Sequence, residues 1–294
     1  MVSTRILKRI LTIMLMGLAC VAQNAVAQNL ETAAQQARSA LERFLVAWNS
    51  GSIANVRQVL NYPHITHSPS GLIIAESPEQ FAQDFTTLRR QGWASSSFDE
   101  VTMHQVSESK VNIGVEFSRR NNLGEIYQSG FVFYVFTKQG DTWGMQYRAG
   151  LPGQQQIDET LKNQARMEAT AAIVGFFNAF NDTDHNALGR VNHVPQAVLN
   201  NSVFIHAEDA LSPIVRPNFP QMEEREDWDH SVFRGLSVIS VSPERAIFEL
   251  EFERINTSNE VYRRVPALWV LSKRAGEWGI EFRSLMTPTL NLIN

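Results

Sequence analysis

The stretch "DTWGMQYRAG", Asp141 to Gly150, has a counterpart far downstream in "GEWGIEFRSL", Gly276 to Leu285. Each holds a Trp-Gly pair and continues as an alternating strand that reaches an Arg. Laid over one another, they place Trp143 on Trp278 and Arg148 on Arg283, 135 residues apart. The same spacing carries Glu116-Phe117-Ser118-Arg119 onto Glu251-Phe252-Glu253-Arg254, Tyr127 onto Tyr262 and Lys138 onto Lys273. Nearer the N-terminus the spacing is 132: Phe44-Leu45-Val46-Ala47-Trp48-Asn49 falls on Phe176-Phe177-Asn178-Ala179-Phe180-Asn181, Pro63 on Pro195, and Ala75-Glu76 on Ala207-Glu208. An insertion between Glu208 and Phe233 accounts for the change. Order, spacing and residue type held over such a length indicate one unit written twice.

Each unit opens with a helix. Ala37, Leu41, Phe44, Leu45 and Trp48 share one helical face, as do Ala169, Ile173, Phe176, Phe177 and Phe180. Asn49-Ser50-Gly51 stops the first helix, a short helix is expected over Ile53 to Leu60, and a turn at Pro63. Ser77-Pro78-Glu79-Gln80 reads as a cap, a first-turn Pro and a capping-box Gln, so a third helix is expected to start there. Strands follow. Val111, Ile113, Val115 and Phe117 alternate with Asn112, Gly114 and Glu116, the pattern of a sheet with one buried face. Phe131 to Phe136 is apolar on both faces and is expected to be covered on both sides. Helices followed by strands, with the helices on one face, make an α+β roll.

The chain has 294 residues, a formal net charge of −4 and a single cysteine. Arg5, Lys8 and Arg9 precede an apolar stretch from Ile10 to Ala22, and Ala25-Val26-Ala27 supplies a small-x-small site. Residues 1–27 therefore read as a signal peptide, and the chain as exported, with a periplasmic location favoured. Cys20 lies inside this leader, but Gly17-Leu18-Ala19 before it is a poor lipobox, so lipidation is the less favoured reading. Cleavage would remove the cysteine, leaving a chain held by core burial alone. It would also remove three basic residues. No Lys/Arg run remains to support nucleic-acid binding, and no later stretch is long enough to span a membrane. The expected domains are 28–150 and 169–294, with a linker and the start of the next helix over 151–168.

Helix, "AWNSGS" turn, short helix, "SPSG" loop, helix, and strands ending in "TWGMQYRAG" resemble the NTF2-like superfamily, which includes SnoaL-type cyclases and ketosteroid isomerases. The likeness covers roughly Ala33 to Gly150 and Ala169 to Met286. It implies two cone-shaped rolls, each with N-terminal helices packed on a curved antiparallel sheet and an apolar pocket in its mouth. Members often pair through the outer sheet face, so two copies in one chain suggest an internal pseudo-dimer. Phe131 to Phe136 and Ala267 to Leu271 would suit that contact.

The same resemblance tests for isomerase chemistry. The family's base is the Asp of an Asp-Pro-x-Gly loop, and Ser68-Pro69-Ser70-Gly71 stands there. Its oxyanion Tyr matches Phe44, and its second donor matches Tyr134. In the second copy these positions are Asn200, Phe176 and Trp269. Neither copy keeps the acid–base set.

Other residues invite chemistry. His64 and His67, three apart, lack the further ligands a metal site needs, and read as loop histidines; no metal or cofactor is expected. Arg119 and Arg254 extend an apolar row towards the pocket rim. They could receive a carboxylate, or form a structural pair with a Glu. Arg148 and Arg283 face away from the apolar row by strict alternation, unless a bulge reverses them. Glu76 and Glu208 repeat and suit helix starts. The favoured reading is a binder of a small apolar or amphipathic molecule through Arg119, Arg254, Arg148, Arg283, Tyr134 and Trp269. An enzyme of the SnoaL or dehydratase kind, using His64, His67, Tyr134 or Glu208, is the alternative, and an interaction module with filled pockets is the third.

Overall fold

The computed structural model describes residues 4–152 and 157–287. The first unit runs α1 (Thr4–Asn49), α2 (Ile53–Arg57), β1 (Leu60–Ser68), β2 (Gly71–Ala75), α3 (Phe85–Arg90), β3 (Ser95–Val106), β4 (Lys110–Arg120), β5 (Ile126–Gln139) and β6 (Thr142–Pro152). The second repeats that order: α4 (Glu159–Asn181), α5 (His185–Val191), β7 (Asn192–Asn200), β8 (Val203–Ala207), α6 (Phe219–Glu226), β9 (Trp228–Val241), β10 (Arg245–Asn256), β11 (Val261–Arg274) and β12 (Glu277–Leu285). The segment 1–27 falls largely in α1, and its side chains before residue 25 lie outside the described residues, as does most of the stretch Leu151 to Gln156. Among the described residues no helix is long and apolar enough to cross a membrane.

The sheets have matching orders, β2-β1-β6-β5-β4-β3 and β8-β7-β12-β11-β10-β9. Each contains one parallel pair, β1 with β6 and β7 with β12, in an otherwise antiparallel sheet. Pro63 therefore lies within strand β1 and makes no turn, and His64 and His67 are strand residues, both buried.

Helix α1 lays Ala33, Ala37, Ala40, Leu41, Phe44 and Trp48 on Val111, Ile113, Val115, Tyr134 and Phe136. Helix α4 repeats this with Ala169, Ile173, Phe176 and Phe180 over Phe248, Leu250 and Trp269. Gly51, at φ 61°, takes the left-handed conformation that ends the helical segment. The helix expected at Ser77 starts instead at Phe85, behind an Asp84 cap that accepts from the Thr87 amide. The Gln80 side chain does bond back to the Glu76 amide, 2.8 Å away. However, the Glu79 and Phe81 carbonyls, which would extend the helix, are taken by the Arg57 guanidinium.

A third apolar cluster joins the two units. Phe131, Phe133, Val135, Tyr147, Ala149 and Leu151 meet Ala197, Leu199, Ile247, Leu268, Val270 and Phe282. This is the outer face of both sheets, which explains why β5 is apolar on both sides. The contact is pseudo-symmetric. Lys110 Nζ donates to the Leu199 and Leu285 carbonyls, both at 2.6 Å. Its counterpart Arg245 donates to the carbonyls of His67, Gly150 and Ser68.

One irregularity decides which residues face the cones. The β5–β6 register slips between Val135 and Phe136, which pair with Tyr147 and Met145 and leave Gln146 as an extra residue. The β11–β12 register slips likewise at Glu281. A single extra residue reverses every side chain beyond it. Trp143 and Met145 thus face the helix, while Tyr147 and Ala149 turn to the domain contact. Arg148 and Arg283 turn inward to the cones.

Candidate functional site

The mouth of the first cone encloses a cavity of about 510 Å³. Its apolar lining comes from α1 (Phe44, Leu45, Trp48), from Leu88 of α3, and from the sheet (Phe98, Phe117, Val132, Tyr134). This volume falls in the range that encloses a small organic ligand. Arg119 and Arg148 are among its polar groups. Arg148 lies over the Trp48 ring, 5.2 Å from its centroid, and donates to Gln83 Oε1 at 3.1 Å. Arg119 lies over the Phe117 ring and donates to Gln128 Oε1, and its buried Nε has no partner. Among the described residues neither arginine has a carboxylate within ion-pair distance.

The Tyr134 ring packs edge-on against Phe44, with its hydroxyl in the field of Arg148 and Arg119. No hydrogen bond ties that hydroxyl to another described residue. Burial raises its pKa, so it remains a neutral donor. Burial lowers the pKa of Arg148; Tyr134 opposes this and Arg119 adds to it. A guanidinium keeps its proton through such a shift. The cavity thus presents the Arg119 and Arg148 guanidinium groups and the Tyr134 hydroxyl within an aromatic box. Asp84 is the carboxylate at its edge, and it is committed to the Thr87 hydroxyl (2.6 Å) and amide, which hold its pKa below the usual range.

Neither histidine expected to carry chemistry turns its ring to the cavity as a free base. His64 Nδ1 meets the Met145 carbonyl at 3.2 Å, and Nε2 is buried without a partner. Burial, with Arg148 nearby, pushes its pKa down to about 3. His67 contributes to the cavity wall, but its ring is spent in the domain contact. Nδ1 meets Tyr147 Oη at 2.8 Å and Nε2 meets Glu281 Oε2 at 2.6 Å. Arg274 pairs with the other Glu281 oxygen. Burial, Arg245 and Arg274 hold the His67 pKa well below its ordinary value. A neutral ring accepting from Tyr147 and donating to Glu281 accounts for both ring nitrogens without an added proton. Glu208 lies on the surface beside His206, 3.6 Å away, and lines neither cavity, and Glu76 precedes the Ser77 turn.

The second cone has the same frame, but its interior is filled. About 70 Å³ remains. Where the first copy has Leu45, Tyr134 and Gly150, the second has Phe177, Trp269 and Leu285. Trp269 stacks flat on Phe177, 5.5 Å between centroids, and packs edge-on against Phe176. Its arginines are engaged. Arg254 bonds Glu226 at 2.6 Å, and Arg283 donates to Gln196 Oε1 and to the Ile214 carbonyl. Burial lowers the Arg283 pKa to about 10. Among the residues expected to bind ligand, Arg119, Arg148 and Tyr134 therefore converge on open space, while Arg254, Arg283 and Trp269 converge on a closed one.

Gln83 and Arg245 also reach the cavity and were missed in the sequence, and Ser68, which stands in place of the family's base, reaches it too. A signal for Arg245 was present: it repeats Lys110, a basic residue at the head of each apolar strand.

Residues 34–146 match the family described as NTF2-like protein DUF6841, so the first repeat is an NTF2-like domain and the second unit repeats its fold. No curated protein matches the chain. Similar solved structures include a ketosteroid isomerase-like protein from Erwinia carotovora atroseptica (18% identity, 43% of this chain and 98% of that one, TM-score 0.35). Another is a cystatin-like-fold protein from Nostoc punctiforme (14%, 44% and 95%, TM-score 0.36). A third is an NTF2-like protein from Novosphingobium aromaticivorans (11%, 44% and 86%, TM-score 0.37).

Proposed function

We propose that this tandem NTF2-like chain is an exported binding protein. It takes one small amphipathic acid in the cone of its first copy and performs no chemistry on it. The observation that carries the reading is the pair Arg119 and Arg148, set in an aromatic cavity of about 510 Å³ with no carboxylate partner. A buried guanidinium without a counter-ion is costly, and an anionic ligand group would relieve that cost while its apolar body fills the box. The Tyr134 hydroxyl supplies a third contact to the same group. Acid–base catalysis would need a base in reach of the cavity centre. Asp84 is bound by Thr87, and the His67 ring is turned into the domain contact. The second copy serves as the structural partner of the first.

Native mass spectrometry of protein isolated from its own host tests this. One retained acid per chain, lost in Arg148→Met, is the expected result. A retained neutral molecule, or turnover of the bound acid to a second species, would overturn the reading.

A further inference from the structure

The two copies clamp one another at equivalent points with unequal residues. Lys110 holds the Leu199 and Leu285 carbonyls of the second copy. Arg245 holds the equivalent carbonyls of the first, His67 at 3.3 Å and Gly150 at 3.0 Å. The guanidinium then adds a third bond that the ammonium on the other side does not make. Its Nη2 donates to the Ser68 carbonyl at 2.7 Å. Ser68 and Pro69 form the wall of the open cavity. Arg245, largely buried, lies in that wall too, so a residue of the filled copy shapes the site of the open one.

We infer that Arg245 is a positioning residue for the first copy's ligand site: through Ser68 it fixes the Ser68–Pro69 wall, and the second copy is thereby a required part of that site. The difference between the clamps is what points to this. At the equivalent point the Lys110 clamp engages two carbonyls and, among the described residues, no third. The extra contact falls only on the side where the cone is open, and on a segment that lines it. Beyond Ser68 the β1–β2 hairpin turns at Pro69 and Ser70, held locally by the Ser70 amide donating to Ser68 Oγ and by Ser68 Oγ donating to the Gly71 carbonyl. Releasing the Ser68 carbonyl frees the base of that turn. The structural part of this inference stands on the clamp alone, and its consequence for affinity rests on the proposed function.

Arg245→Lys and Lys110→Arg in the full chain test it, with hydrogen exchange and 2-naphthoate binding as readouts. Lysine already serves at the equivalent place, so Arg245→Lys is expected to fold with a melting temperature within a few degrees of the parent. Exchange across residues 66–72 should rise several-fold in Arg245→Lys, with no change across the equivalent residues 198–204. The 2-naphthoate Kd should weaken about tenfold. Lys110→Arg should change neither readout. Unchanged exchange across 66–72, or an equal rise in both hairpins, would overturn the inference. Arg245→Met removes the whole clamp, and slower loss of the 66–72 protection there than in Arg245→Lys would also overturn it. If the parent protein ignores 2-naphthoate altogether, the binding proposal fails while the exchange comparison still decides the role of Arg245.

Discussion

Tyr147 and Phe282 stack face to face with ring centroids 3.6 Å apart and planes 11° from parallel. They are the same position in the two copies, 135 residues apart, so the chain meets itself there on a pseudo-two-fold axis. Both rings are fully buried, with Phe133, Val270 and Leu268 around them. The two units therefore share one apolar seam, and that seam should govern how they unfold.

Removing the Phe282 ring should cost about 3–5 kcal/mol, the range for truncating a buried aromatic. Because the lost contacts lie between the units, Phe282→Ala should also split a single denaturant transition into two. Tryptophan fluorescence and circular dichroism would report this as midpoints that no longer coincide. A single transition shifted by less than about 1 kcal/mol would contradict a shared seam.

The first cone should close if it is given the second cone's residue. A Cβ at Gly150 would meet nothing within 4 Å, and the residue at the equivalent place is Leu285. Gly150→Leu should fold with stability within about 1 kcal/mol of the parent. It should lose binding of 2-naphthoate at least tenfold. Retained affinity in a folded Gly150→Leu protein would place the ligand elsewhere.

Acid should weaken the fold through His64. Its folded pKa of about 3 lies below the ordinary value near 6.5, so the unfolded chain binds the proton more readily. The stability it contributes is complete above about pH 6.5 and is lost as pH falls towards 3. Between pH 7 and pH 5 this loss amounts to about 2 kcal/mol. The second copy has Gln196 at this position, donating to the Ile280 carbonyl at 2.7 Å and accepting from Arg283 at 3.0 Å. His64→Gln should reproduce both bonds, with Met145 and Arg148 as partners. Urea titrations at the two pH values should show the variant losing about 2 kcal/mol less than the parent. An equal loss in both would remove His64 as the cause.

Much of the fold was legible because duplication doubles every signal. The apolar run Phe131 to Phe136 announced a sheet covered on both faces, and the structure covers it with the second copy. What escaped was local. The extra residues Gln146 and Glu281 carry no composition cue, since a bulge is set by hydrogen-bond register and not by residue type. They alone decide that Arg148 points into the cone. The late start of α3 was hidden because Arg57, distant in sequence, takes the carbonyls a helix would have used. The unequal cones could be read only by comparing the copies position by position: Leu45 with Phe177, Tyr134 with Trp269 and Gly150 with Leu285 differ in bulk in the same direction.

Isothermal titration of the full chain with 2-naphthoate and its neutral analogue 2-naphthamide, alongside Arg148→Met, bears most closely on the binding site. One acid should bind per chain, at least tenfold more tightly than the amide, and Arg148→Met should remove that preference without destabilising the fold, since a buried guanidinium lacking a carboxylate is replaced by an apolar chain of similar length. Two sites per chain, equal affinity for acid and amide, or an undiminished preference in Arg148→Met would contradict a single anion-selective cone.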